Sequence, residues 1–150
     1  MIFPPISAKY RETDGRREIF DPVRRKYVQL TPEEWIRQHV IHFLHYQLAY
    51  PLSLLSIEKR VTYNRLQKRF DILASDYCGR PRLLVECKSK DAGIDSETFA
   101  QAAVYNFALQ ADYLLITDGE RCFTARINLL EKTWEFIGEI PGFVQLAGVG

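Results

Sequence analysis

Two short segments hold the side chains best suited to chemistry, Arg69-Phe-Asp-Ile72 and Leu83-Leu-Val-Glu-Cys-Lys-Ser89. On an extended strand, side chains alternate between faces. Glu86 and Lys88 therefore share one face, with Val85 and Cys87 on the other. In the preceding segment Asp71 lies opposite the face of Phe70, Ile72 and Ala74. Cys78-Gly79-Arg80-Pro81 reads as the hairpin turn between them. A two-residue turn centred on Gly79-Arg80 sets Asp71 opposite Lys88 and diagonal to Glu86; a slip of two residues sets Asp71 opposite Glu86. Either register brings two carboxylates and an ammonium onto one face of an otherwise apolar pair of strands. Buried charges are costly unless compensated. Mg²⁺ (or Mn²⁺) held by Asp71 and Glu86 would compensate them and keep waters for a substrate. Lys88 would then stand beside an attacking water or stabilise charge on a reacting phosphate. A plain Asp–Lys or Glu–Lys ion pair, or strand ends reaching solvent, would need no chemistry.

Two helices stand next to these segments in sequence. Thr31-Pro32-Glu33-Glu34 is a helix start, with a capping hydroxyl, Pro in the first turn and acids near the N-terminus. Glu33 extends the Ile36, Val40, Leu44 stripe by one turn and is expected to face the sheet as a further ligand; Glu34 is offset by about 100° and expected to face solvent. Later, Gln101 and Tyr105 are four apart and share a helical face suited to a phosphate or a base edge. The opposite stripe of Phe99, Ala103, Phe107 and Ala108 is expected to pack on the sheet. His39, His42 and His45 are spaced by three, with no Cys or carboxylate set beside them, and read as surface or boundary histidines. No G-x-S-x-G, G-x-x-x-x-G-K-[ST] or G-x-G-x-x-G occurs, which disfavours a serine hydrolase, a P-loop NTPase and a dinucleotide-binding enzyme.

The elements that must position these groups follow in the order α-β-β-β-α-β, then two more strands. The helix from Pro32 is expected to end at Pro51. Strands are expected over 54–63, 66–77 and 82–89, a helix from Asp95 or Ser96 to about Gln110, and strands over 113–117, 122–127 and 134–137. That order indicates an α/β domain with a mixed central sheet flanked by helices. Residues 1–30, broken by Pro4-Pro5 and Asp21-Pro22, read as an irregular N-terminal arm ahead of one domain over 31–150.

Composition narrows the class further. At 150 residues and 47% apolar content, the chain is long enough for one core without disulfide staples. Three cysteines without CxxC spacing suggest a reducing compartment, so a cytoplasmic location is expected. The first twenty residues lack an apolar signal core, and Val40 to Leu55 is too short and too polar to span a bilayer. The net charge of +1 hides a split, with +6 over residues 1–70 and −5 over 71–150. The basic half clusters at Arg24-Arg25-Lys26, Lys59-Arg60 and Arg65 to Arg69, which suits a phosphate-bearing partner or simply a solvated edge.

Asp71, fourteen intervening residues, Glu86-x-Lys88 and then Gln101-x-x-x-Tyr105 together resemble the PD-(D/E)XK nuclease superfamily. With Thr31-Pro-Glu-Glu-Trp-Ile-Arg-Gln38, Leu84-Val-Glu-Cys-Lys88 and Tyr113-Leu-Leu-Ile-Thr-Asp-Gly119, the chain more narrowly resembles the N-terminal nuclease domain of type I restriction enzyme R subunits, over roughly residues 30 to 140. The resemblance implies a restriction-endonuclease-like core and Mg²⁺-dependent hydrolysis of DNA phosphodiesters. It assigns Asp71 and Glu86 as metal ligands, Lys88 beside the attacking water, Glu33 (with Glu34 the rival) as the acid of the first helix, and Gln101 and Tyr105 as contacts to the substrate strand. Phe70 stands where the superfamily's name has Pro. A 150-residue chain has no room for the translocating motor of an R subunit, so restriction proper would require separate motor or specificity proteins. Two other readings remain open at this point: a non-cutting nuclease-fold module that binds DNA, and a protein-assembly module, including a homodimer formed through exposed strands or the arm.

Overall fold

The computed structural model describes residues 1–147. Its centre is a six-stranded mixed sheet in spatial order β4-β5-β6-β7-β8-β9. The strands are β4 Leu55–Tyr63, β5 Leu66–Ser75, β6 Pro81–Cys87, β7 Tyr113–Thr117, β8 Cys122–Asn128 and β9 Thr133–Ile137. Only β6 and β7 run parallel, joined by the crossover helix α2, Ser96–Leu109; the other neighbours are antiparallel. Helix α1, Pro32–His42, covers the opposite face, and a short α3, Phe143–Ala147, follows β9. The expected α/β class, with a mixed sheet flanked by helices, is what the chain forms.

Strict alternation along β6 builds two cores at once. Leu83, Val85 and Cys87 join Ile36, Val40, Ile41 and Leu44 beneath α1, while Leu84 joins Phe99, Ala102 and Ala103 beneath α2. A strand apolar on both faces is the mark of a central strand buried between helical layers. On α2 the buried stripe is Phe99, Ala102, Ala103 and Asn106, so Ala108, expected in it, is displaced to an exposed position. The Asn106 side chain is fully buried, donating to the Ala111 carbonyl and accepting from its N–H, which closes the helix end onto β7.

Three expectations of chain path fail. The arm is not irregular: β1 Tyr10–Thr13, β2 Arg16–Asp21 and β3 Lys26–Gln29 form a second, antiparallel sheet. Asp14 and Gly15 turn the first hairpin with φ of 53° and 75°, the double positive-φ geometry that Asp-Gly favours. The first helix does not run to Pro51; it widens after His42 into a π-helical turn, Phe43–Gln47. The β5–β6 connection is longer than two residues. Asp76 Oδ1 accepts the N–H groups of Cys78 and Arg80, at 2.9 and 3.0 Å, and holds residues 76–80 as a loop. The ladder starts at Ser75↔Pro81, shifts at a bulge, and settles into Ala74↔Leu83 and Ile72↔Val85. That is the second of the two possible registers, which would set Asp71 opposite Glu86, but the pairing stops at Ile72↔Val85, before that pair forms. Among the described residues, no helix is long and apolar enough to cross a membrane.

Candidate active site

Pairing of β5 with β6 ends at Ile72↔Val85, and the strands part there. The Cys87 N–H, left without a β5 carbonyl, donates instead to Asp71 Oδ2 at 2.7 Å. One residue on, the Lys88 N–H keeps its bond to the Thr117 carbonyl of β7 at 2.8 Å. The carboxylate of Asp71 is thus wedged into the opening between two strands. Cys87, flanked by Glu86 and Lys88, is the residue it grips. On the other side of β5, Glu58 of β4 interrupts the β4–β5 ladder with φ of 58° and lines a polar cleft together with Asp71.

On the α1 side, a polar cleft of about 210 Å³ is lined by Thr31, Glu33, Arg37, Glu58, Arg69, Phe70 and Asp71. Arg37 Nη2 lies 3.3 Å from Asp71 Oδ1 and 3.8 Å from Glu33 Oε1. Burial raises the Asp71 carboxyl from its ordinary 3.8 to about 7; the Cys87 amide and Arg37 oppose that rise, and the acid of Glu33 beside it adds to it. The thiol of Cys87, fully enclosed, is pushed well above the usual thiol range, chiefly by burial and then by Asp71. A thiol held neutral in this way is no nucleophile at neutral pH.

Glu86 is buried too, and its Oε1 contacts Lys68 Nζ at 2.5 Å and Lys88 Nζ at 3.4 Å. The expected sharing of one face by Glu86 and Lys88 therefore holds. Lys68 in turn lies over the Phe70 ring, 5.4 Å from its centroid, and Phe70 meets Tyr105 edge-on at 6.4 Å. Tyr105 is tied to the acid–lysine group through these two residues. Gln101 stands apart, exposed and hydrogen-bonded to Glu97 one turn earlier on α2.

The two acids of the first helix exchange the burial expected of them, while Glu33 keeps its place beside the cleft. Glu34 is buried, because Arg24 reaches from the arm to Glu34 Oε1 at 2.7 Å and Gln38 donates to its other oxygen at 3.2 Å. Glu33 has a side chain 54% exposed, yet it is the one that opens onto the Asp71 cleft. The histidines also depart from expectation: His39 and His42 are buried. His39 donates from Nδ1 to the Trp35 carbonyl at 2.8 Å, and burial holds the His42 imidazole below its ordinary pKa.

The donor chemistry suits a hard divalent cation. Burial drives the Asp71 carboxyl towards its neutral form, with Glu33 beside it adding to the rise, and an oxygen-binding metal ion offsets the cost of such a buried acid. No group of three His, Cys, Asp or Glu is already drawn together as a cage among the described residues. The acids are engaged by cations instead: Lys68 and Lys88 contact Glu86, and Arg37 contacts Asp71.

A family model described as the type I restriction enzyme R protein N terminus matches residues 32–141. The chain belongs to this family. No curated protein and no solved structure matches it. The restriction-enzyme match begins at the first residue of α1 and ends just before α3. It contains Glu33, Asp71, Glu86, Lys88, Gln101 and Tyr105, and leaves the β1–β3 sheet outside.

Sequence reasoning missed Arg37, Glu58, Lys68 and Arg69 as members of the site. Arg37 carried a signal, four residues after Glu33 and so on the same helical face. Lys68 and Arg69 sat within a basic cluster with nothing to separate them from solvent-facing lysines. Glu58 enters only through a backbone distortion that no residue type announces.

Proposed function

We propose that this domain is a divalent-metal-dependent DNA endonuclease of the PD-(D/E)XK type, working within or alongside a restriction system. The reading rests chiefly on one observation: the Asp71 carboxylate fills the parting of β5 and β6 and binds the amide between Glu86 and Lys88. Asp71 and Glu86, with Glu33 at the cleft mouth, would hold the cation. When bound, such an ion supplies Lewis acidity towards a phosphate oxygen and the attacking water. Lys88 would set its ammonium beside the reacting phosphate, its backbone N–H anchored on the Thr117 carbonyl. Lys68 shares Glu86 with it and balances the buried acid. Tyr105, packed on Phe70, and Gln101 at the helix surface would contact the substrate strand. DNA is the partner this reading requires, with Mg²⁺ or Mn²⁺ as cofactor.

The test is Mg²⁺-dependent cleavage of DNA by the full chain and by Glu86→Ala and Lys88→Ala. Each variant should lose cleavage while keeping the wild-type circular dichroism spectrum. Cleavage at the wild-type rate in either variant would overturn the role assigned to that residue. DNA binding by the wild type with no cleavage in any divalent metal would favour a non-cutting module, a reading consistent with Glu86 being fully engaged by two lysines.

A further inference from the structure

β4 and β5 outrun the sheet they belong to. Their pairing continues from Lys59↔Phe70 to Tyr63↔Leu66, whereas β5 leaves β6 after Ile72. The free end of this hairpin projects beside the candidate site. Between Lys59 and Phe70 it carries five cations (Lys59, Arg60, Arg65, Lys68 and Arg69) and no acid.

Alternation divides the hairpin into two faces. One face holds Val61 and Phe70, buried in the core beneath α2, and Lys68, engaged with Glu86. The other holds Arg60 directly opposite Arg69, and Thr62 directly opposite Gln67, all four exposed. Like charges placed opposite each other weaken a ladder. Arg69 has only a long contact, 3.8 Å, to Glu58, an acid that Arg37 approaches more closely at 3.3 Å. Arg60 has no ion-pair partner among the described residues. An arginine pair set against itself in this way is relieved by an external anion that both guanidinium groups can grip.

Arg69 also lines the Asp71 cleft, so the polar strip opens directly into the candidate site. At about 3.4 Å per residue, Gln67 lies about 14 Å along β5 from Asp71, the axial length of about four nucleotides of one strand of a duplex. Single-stranded nucleic acid is held largely by aromatic stacking, and this face presents no aromatic side chain. We infer that Arg60, Thr62, Gln67 and Arg69 form a track for the phosphate backbone of double-stranded DNA, leading it to Asp71. This deepens the nuclease reading and rests on it.

The experiment is fluorescence anisotropy of a labelled blunt duplex with the full chain in Ca²⁺ across a salt series. The same sequence as a single strand and the Arg60→Ala, Arg69→Ala and Arg126→Ala variants are measured alongside, together with melting curves. The wild type should prefer the duplex. Arg60→Ala and Arg69→Ala should each reduce the slope of log K against log salt by about 0.9 without lowering the melting temperature, and Arg126→Ala should leave the slope unchanged. Slopes equal to wild type in both hairpin variants would overturn the track, and so would a preference for the single strand. Mg²⁺-dependent cleavage by a protein with those unchanged slopes would leave the nuclease reading standing; a wild type that neither binds nor cuts would overturn both.

Discussion

Replacing Asp71 with Asn should make the metal-free protein more stable at mildly alkaline pH. The carboxylate it removes is buried against Glu33, with a pKa raised from 3.8 to about 7. An acid whose folded pKa exceeds its unfolded one imposes no penalty below about pH 4. The penalty grows as pH rises between the two values and is complete above about pH 7. The full difference corresponds to about 4 kcal/mol between the two protonation states. The Asn side chain can still accept the Cys87 N–H and can donate to Glu33, though it presents an amide to Arg37. Arg37 keeps contacts to Glu34 and Glu58. A gain of about 2–4 kcal/mol at pH 8 and near equality at pH 4 is therefore expected. For a chain of this size that is a rise in Tm of about 5–12 °C at pH 8. The assay is thermal and urea unfolding of both proteins from pH 4 to 8 in a chelator. The lowered carboxyls of Asp76 and Asp118 act on both chains alike, so the difference between the curves isolates position 71. Parallel pH profiles for the two proteins would refute the claim that Asp71 is a strained acid.

Further expectations follow from the same geometry. Mg²⁺ or Mn²⁺ at pH 8 should raise the Tm of the wild type and not of Asp71→Asn, with about 2.7 kcal/mol gained at a concentration one hundred times Kd. Differential scanning fluorimetry reads this, and an equal rise in both proteins would remove Asp71 from the ligand set. Arg37→Ala strips the buried acids Asp71 and Glu34 of a shared cation and should cost about 3–5 kcal/mol in urea unfolding at pH 8. A smaller loss at pH 5, where Asp71 is largely neutral, would accompany it; the same loss at both pH values would contradict the pairing. Tyr50→Phe should cost about 1–3 kcal/mol, because the Tyr50 hydroxyl donates to the Pro141 carbonyl at 2.6 Å inside the core. An unchanged urea midpoint would show that this carbonyl finds another partner.

The central strands and the crossover helix are legible in the sequence because their residues obey simple periods. Tyr113–Thr117 is an unbroken apolar run, and Asp95 caps α2 with a reciprocal bond to Thr98, so both elements begin where their residues indicate. The register of β5 on β6 is not legible to better than two residues, because Asp76 builds a loop from side-chain acceptance of backbone N–H groups. The turn residues alone point to a tighter bend. The arm is misread because Pro4-Pro5 and Asp21-Pro22 are taken as breakers of the whole segment and the Asp14-Gly15 turn is overlooked, although the prolines only flank real strands. Glu33 and Glu34 cannot be ordered from helical phase alone. Glu34 is buried by Arg24, ten residues away in the turn between β2 and β3, and no pattern inside the helix records that contact. The Glu86–Lys88 pair is legible, since an acid and an amine two apart on an apolar strand share a face. The separate engagement of Asp71 by Arg37 and of Glu86 by Lys68 is not, because it depends on cations that sequence places among solvent-facing charges.

The most direct measurement is the location of Mn²⁺ by its anomalous scattering in crystals of the wild-type chain. The proposal predicts an ion held at Asp71 and Glu86, with Lys68 no longer closed on Glu86. Crystals soaked in Mn²⁺ that show no ion at these two acids, with Lys68 still closed on Glu86, would contradict it.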